Sequence, residues 1–292
     1  MKKGFPCFKL AARRTKSCVL LAFSALVWLA SPAFAQVQSV PNFWHSGEPL
    51  ARPDLSNVQR LRFLTTTDFP PFNFIDRRKR LTGFHIDLAR AICDELGILP
   101  KCQIQALPWE ELEKAIEDGQ GEAIIAGMDV TNDSRTKYEF SKPYLHIPGR
   151  FAARRSDGVG EPMWLAVRDH VTGLVAGSRH EQWFGQAFAS ARSRSYPTRQ
   201  QAMAALKNEE VSLIFADAVT ISFWLLSEEA ADCCVFAGGP YISASAFGNG
   251  LAIAFPKGRT ELADAADYAL RQLNDNGTFA ELYQRYFPLS LY

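Results

Sequence analysis

The sequence predicts an α/β fold of open sheets covered by helices, and three observations predict it. Apolar residues at Ile86, Ala89, Ile92, Cys93 and Leu96 follow a helical period, directly after short runs of strand character. Helix followed by strand then recurs: residues 115–127 (AIEDGQGEAIIAG) and 205–217 (ALKNEEVSLIFAD) share a plan of helix end, polar turn and short apolar strand. The chain has 292 residues, 47% hydrophobic and 22% charged, which suits one large domain or two of moderate size and excludes disorder, collagen and a coiled coil.

The first elements differ from the rest in charge. Residues 1–35 carry Lys2, Lys3, Lys9, Arg13, Arg14 and Lys16 and no acid, then an apolar run from Val19 to Ala30, then Ser31-Pro32-Ala33-Phe34-Ala35. This is the order of an export signal, with cleavage expected after Ala35. The apolar run falls short of the ~20 residues that span a bilayer. The formal charge of +1 averages this basic segment with a remainder at −5, a balance that argues against a nucleic-acid partner. Residues 36–57 hold Pro41, Pro49 and Pro53 without periodicity and read as an extended arm.

The fold is expected to start near Val58. Residues 61–65 read as a strand, Pro70-Pro71 as a rigid turn, and residues 72–75 with 81–82 as a hairpin around the basic tip Arg77 to Arg80. After the helix at 86–96 come the two helix-strand units, with Trp109, Leu112 and Ile116 on one face of the first helix and Ala202, Ala205 and Leu206 on the second. Residues 251–255 (strand), 260–274 (helix capped by Thr260) and 278–287 (helix) close the chain. The paired units end their strands near Asp129 and Asp217, and ligands of open α/β sheets gather at such ends.

Beyond the export signal the cysteines are Cys93, Cys102, Cys233 and Cys234, with no C-x-x-C spacing. Cys93 and Cys102 lie close enough in sequence to close a small loop. The adjacent Cys233 and Cys234 fit either one buried and one exposed thiol or an eight-membered disulfide ring. The five histidines form no H-E-x-x-H or paired ligand set, Gly248-Asn249-Gly250 lacks a third glycine, and no phosphate loop or G-x-S-x-G is present. No metal and no cofactor are expected.

Seven segments in order resemble the bacterial family 3 extracellular solute-binding proteins, the periplasmic receptors of polar amino acid ABC transporters. They are LRFLTTTDFPPFNF (61–74), LTGFHIDLARAICDELG (81–97), LPWEELEKAIEDGQGEAIIAGMDVT (107–131), FSKPY (140–144), VAGSRHE (175–181), VSLIFADA (211–218) and GTFAELYQRYFP (277–288). The resemblance implies a two-lobed, clam-like type II periplasmic-binding-protein fold with two crossing hinge strands. Lobe I would be 58–148 plus 243–292, and lobe II 149–242. It also implies a Cys93–Cys102 disulfide, a small amino-acid ligand, an inner-membrane ABC permease as partner, a monomeric state and a periplasmic location.

An amino acid is a zwitterion, so its receptor must supply a cation and donors for the carboxylate, an acid for the ammonium and apolar walls. By resemblance Arg135 is the carboxylate clamp, although the commonest family spacing puts that arginine at Ser134. Gly177 and Ser178 would add donors from lobe II, Asp217 would hold the ammonium, and Phe69 and Trp109 would form walls beside Gly127. Asp129 offers a second carboxylate suited to a cationic ligand, while Arg179, where the family often has Thr or Ser, argues the other way. Each has a plainer role: Arg135 as a solvated charge, Asp217 as a helix cap, Phe69 and Trp109 as core, Asp129 as a turn residue. His85, in place of a common family acid, reads as a surface cap residue, and Thr66 also replaces a frequent acid. Two other functions fit the same fold: a cyclohexadienyl dehydratase-like enzyme using a cleft acid for proton transfer, and a periplasmic interaction or sensor module that has lost amino-acid binding.

Overall fold

The computed structural model describes residues 51–292. The export signal, its cleavage point and most of the proline-containing arm lie outside the described residues. The end of that arm already belongs to the core: Leu55 is buried with Leu61, Phe63 and Leu96, and its carbonyl accepts from Val58 N at 3.0 Å.

Two five-stranded sheets follow one plan. In the first, β1 (Leu61–Thr65) lies between parallel neighbours β5 (Cys102–Ala106) and β6 (Ala123–Ile124). Next to β6 runs antiparallel β13 (Ala254–Pro256), with β7 (Tyr138–Phe140) outside it. In the second, β9 (Thr172–Val175) lies between parallel β10 (Ser193–Tyr196) and β11 (Leu213–Asp217). Antiparallel β8 (Gly149–Arg154) follows β11, and β12 (Cys234–Tyr241) closes that edge. A small sheet of β2 (Asp68–Phe69), β3 (Asn73–Ile75) and β4 (Leu81–Thr82) carries the expected hairpin.

Parallel strands covered on both faces must be largely apolar on both, as the central β1 and β11 are, whereas the edge strand β10 is exposed. Phe63 of β1 enters a core shared with α1 (Phe84–Glu95), α9 (Thr260–Asp275) and α10 (Thr278–Tyr286), whereas Leu64 faces Leu112 and Ile116 of α2 (Trp109–Glu117). In β11, Ile214 packs with Leu206 and Trp224, while Leu213 and Phe215 pack with Phe151 and Phe184. The recurring helix-strand units are thus two layers of equivalent architecture.

The chain passes between the sheets twice, and the two passages bond to each other. Tyr144 N donates to Leu251 O at 2.9 Å, and Leu251 N to Leu145 O at 2.7 Å. The result is the two-lobed α/β fold with crossing connections.

Several local expectations are corrected. Thr260 is the first residue of α9 and not its cap, because Arg259 occupies that position. The strand expected at 251–255 shortens to β13, and Leu251 instead bridges Asp129 and Leu145. His85 is not a surface residue; it is fully buried, with Nδ1 2.7 Å from Asn73 Oδ1 and Nε2 2.8 Å from Tyr144 Oη. Asn73 Nδ2 donates to Thr66 Oγ1 at 2.7 Å, so its carbonyl accepts from His85 Nδ1–H and His85 Nε2 accepts from Tyr144. Cys93 and Cys102 are joined in the implied disulfide (S–S 2.11 Å), tying α1 to β5. Cys233 and Cys234 form the eight-membered ring rather than free thiols. Among the described residues no helix is long and apolar enough to cross a membrane.

Candidate functional site

The loop that leaves β6, residues 127–134, organises the site. Gly127 has φ +81°, and a Cβ there would lie 2.6 Å from Phe69 Cε1, so the Phe69 ring rests directly on the glycine backbone. Phe69 also stacks on Phe72 (centroids 4.6 Å apart, 18° between planes) and packs against the core of the first sheet. Beyond the glycine, Ser134 Oγ donates to Asp129 O at 2.9 Å and Asn249 Nδ2 to Val130 O at 2.8 Å. The first bond closes the loop on itself, and the second holds it against the second chain passage.

One face of this loop borders a cavity of about 580 Å³. Residues 129–132 form one wall, Arg179, Gln182, Trp183 and Gln186 of α5 (Arg179–Ala187) the facing wall, and residues 244–246 with Gly248 and Asn249 the remainder. Arg179 Nη1 reaches across to Asp129 Oδ2 at 3.1 Å, joining the loop after β6 of one sheet to the helix after β9 of the other. With 64% and 44% of the side chains exposed, this pair adds little to stability.

At the start of helix α5 the Gly177 and Glu181 N–H groups are already engaged. Ser178 Oγ accepts from Glu181 N at 3.1 Å, Glu181 Oε2 accepts from Gly177 N at 2.6 Å, and Ser195 Oγ donates to Glu181 Oε1. The Ser178 hydroxyl and the Gly177 N–H, expected for a ligand carboxylate, are therefore bonded to Glu181. The S-x-x-E pattern at 178–181 is a capping-box signature, a signal present in the sequence.

Asp217 ends β11 and caps α7 (Ala218–Leu225), Oδ1 accepting from Thr220 N at 2.8 Å. His180, next to Arg179, stacks on Phe247 (4.7 Å, 17°), and its Nε2 is buried without a hydrogen-bond partner. Burial pushes the His180 imidazole below its ordinary value, while the Asp217 charge pulls it up.

Of the ligand-binding residues expected from sequence, Asp129 lines the large cavity, together with Arg179, which from sequence argues against a cationic ligand. Trp109, half exposed at the start of α2, lines a separate hollow of about 240 Å³ with Met128, Ser134 and Lys137. Arg135, in the one-turn helix α3 (Ser134–Lys137), is exposed and lines neither space. Ser134, one residue earlier, lines the smaller hollow. Gln182, Trp183, Gln186 and Asn249 were not anticipated. The α5 residues follow an i, i+3, i+4, i+7 spacing from Arg179 that identifies one helix face.

Two lobes linked by crossing strands, with a cavity walled from both, define a binding protein of the two-lobed α/β class. The chain belongs to the bacterial extracellular solute-binding proteins, family 3, whose family model matches residues 61–289. It is similar to the L-arginine-binding protein of Pseudomonas aeruginosa, 24% identical over 245 residues covering 83% of this chain and 93% of that one. Among solved structures it is similar to substrate binding domain 2 of Lactococcus lactis GlnP in its open conformation (TM-score 0.68, 18% identity, 83% of this chain and 100% of that one). An ancestral cyclohexadienyl dehydratase is also similar (TM-score 0.63, 20% identity, 80% of this chain and 95% of that one).

Proposed function

We propose that this chain is a periplasmic receptor that captures a polar or charged amino acid between its two lobes and delivers it to an inner-membrane ABC permease. The observation that carries this reading is a cavity walled by the loop after β6 on one side and by α5 on the other. A ligand touching both walls is bound fully only when the lobes are together, so ligand and closure favour each other. The lobes are taken as 58–148 with 243–292 and as 149–242, and export as a monomer with cleavage after Ala35. Asp217 supplies the acid for the ammonium, with Asp129 as the second carboxylate, held by Arg179; Phe69 and Trp109 supply the walls, Ser178 its hydroxyl donor, and Gly177 its N–H once Glu181 is displaced. The curated relatives' names, among them arginine-, lysine/arginine/ornithine- and histidine-binding proteins, support an amino acid as the ligand class.

A thermal-shift panel of the free amino acids tests this. A ligand at one hundred times its Kd stabilises by about 2.7 kcal/mol, and Asp217→Ala should abolish the response. No shift with any amino acid overturns the reading in favour of an interaction module. The similarity to an ancestral dehydratase motivates one further assay: turnover of prephenate or arogenate would make the protein an enzyme, and none is expected.

A further inference from the structure

We propose that Arg179 sets the ligand class of this cleft: paired with Asp129, it withdraws the carboxylate that a cationic side chain would need, so the cleft takes an amino acid with a neutral amide or hydroxyl side chain. The proposal rests on the receptor reading above and narrows it.

Charge on the cavity wall is balanced within one pair. Among the described residues, Asp129 and Arg179 are the ionisable side chains that line it. The rest of its polar lining is neutral: the amides of Asn132, Gln182, Gln186 and Asn249, with the hydroxyls of Thr131 and Ser245. Each amide both donates and accepts, and each hydroxyl does the same, which matches a ligand side chain of equal character. A guanidinium or ammonium only donates, and here it would enter a wall already holding a cation.

The geometry around Asp129 makes the competition direct. Arg179 Nη1 holds Oδ2 at 3.1 Å, and on the other oxygen the Gly248 backbone is so close that a Cβ there would lie 3.3 Å from Oδ1. A cation approaching the carboxylate must displace Arg179 or stand beside it. Asp129 forms no other ion pair among the described residues, so removing the Arg179 charge would leave an uncompensated carboxylate facing the cavity. Because both groups are partly solvated, the effect is a preference of roughly tenfold rather than absolute exclusion.

Isothermal titration calorimetry on the purified protein tests this with L-glutamine, L-asparagine, L-serine, L-threonine, L-glutamate, L-arginine and L-lysine. Wild type should bind at least one of the four neutral ligands roughly tenfold more tightly than arginine or lysine. Arg179→Ala should raise affinity for arginine or lysine by a similar factor, and Arg179→Lys, which keeps the charge, should retain the wild-type order. Adding Asp129→Asn to Arg179→Ala should remove the gain. Asp129→Asn alone leaves the arginine unpaired and should shift preference toward glutamate, a readout that stands even if Arg179→Ala does not fold. Wild type binding arginine or lysine as tightly as any neutral ligand overturns the proposal. So does an unchanged ligand order in Arg179→Ala or Asp129→Asn, or equal gains in Arg179→Ala and Arg179→Lys. If none of these proteins binds any amino acid, the receptor reading itself has failed.

Discussion

Glu209 occupies, in the second helix-strand unit, the turn position that Gly119 occupies in the first. Both are left-handed, at φ +64° and +70°. The bonds around them repeat as well. Gly119 N donates to Ile116 O and Gln120 N to Ala115 O, while Glu209 N donates to Leu206 O and Glu210 N to Ala205 O. This is a Schellman-type helix ending, in which glycine avoids a Cβ penalty that glutamate must carry. Glu209→Gly is predicted to stabilise the protein by about 0.5 to 1 kcal/mol, the conformational relief exceeding the entropy added to the unfolded chain. Gly119→Ala should cost about 1 kcal/mol through conformation alone, since an added Cβ meets nothing within 4 Å. Urea denaturation of the two variants checks both signs.

Two buried groups should oppose each other in acid. Burial holds His85 at about 3, below its ordinary 6.5, so under pH 6.5 the unfolded chain takes a proton that the folded chain refuses, and stability falls. Burial raises Asp267 from 3.8 to about 6, although Lys142 N donates to it at 2.6 Å. Between those values the folded chain keeps a proton the unfolded chain has lost, and stability rises on acidification. Asp267→Asn is therefore predicted to lose stability more steeply than wild type between pH 6 and 4, by about 1.4 kcal/mol per pH unit. Denaturation curves at three pH values in that window would reveal parallel slopes if the account is wrong.

The bridge between α1 and β5 closes a short loop, with a sequence separation of 9. Replacing Cys93 and Cys102 together by alanine should destabilise by about 2 to 3 kcal/mol in the chain-entropy account. Thermal melting of reduced and oxidised protein carrying Cys233→Ser and Cys234→Ser, which leaves only this bridge among the described cysteines, should give the same order.

Gly127→Ala combines a left-handed backbone with a Cβ 2.6 Å from the Phe69 ring. A loss of about 1 to 3 kcal/mol is expected as the ring is displaced. Phe69→Ala in the same background should recover part of the strain, and a double-mutant cycle measures the coupling.

Much of the fold was legible because it depends on local signals. The apolar period from Ile86 to Leu96 and the shared plan of 115–127 and 205–217 foretell α1 and the paired layers. The cap at Ser178 was equally local, yet S-x-x-E read as ligand donors, whereas Glu181 takes the Gly177 N–H and gives its own N–H to Ser178 Oγ. His85 was not legible: a polar residue at the start of an amphipathic helix looks solvated until Tyr144, 59 residues away, is folded against it. The cavity wall at 244–249 carries no periodicity, and Arg179 meets Asp129 across a sequence separation of 50. Such contacts exist only after both lobes are formed.

The stretch from Gly127 to Ser134 borders both hollows and is fixed from outside beneath Phe69, at Asp129 by Leu251 and Arg179, and at Val130 by Asn249. It is thus a natural cassette. Recombination between homologous receptors could exchange it whole without disturbing a strand of either sheet, but substrate preference would travel with it only if residue 179, on the facing helix, travelled too.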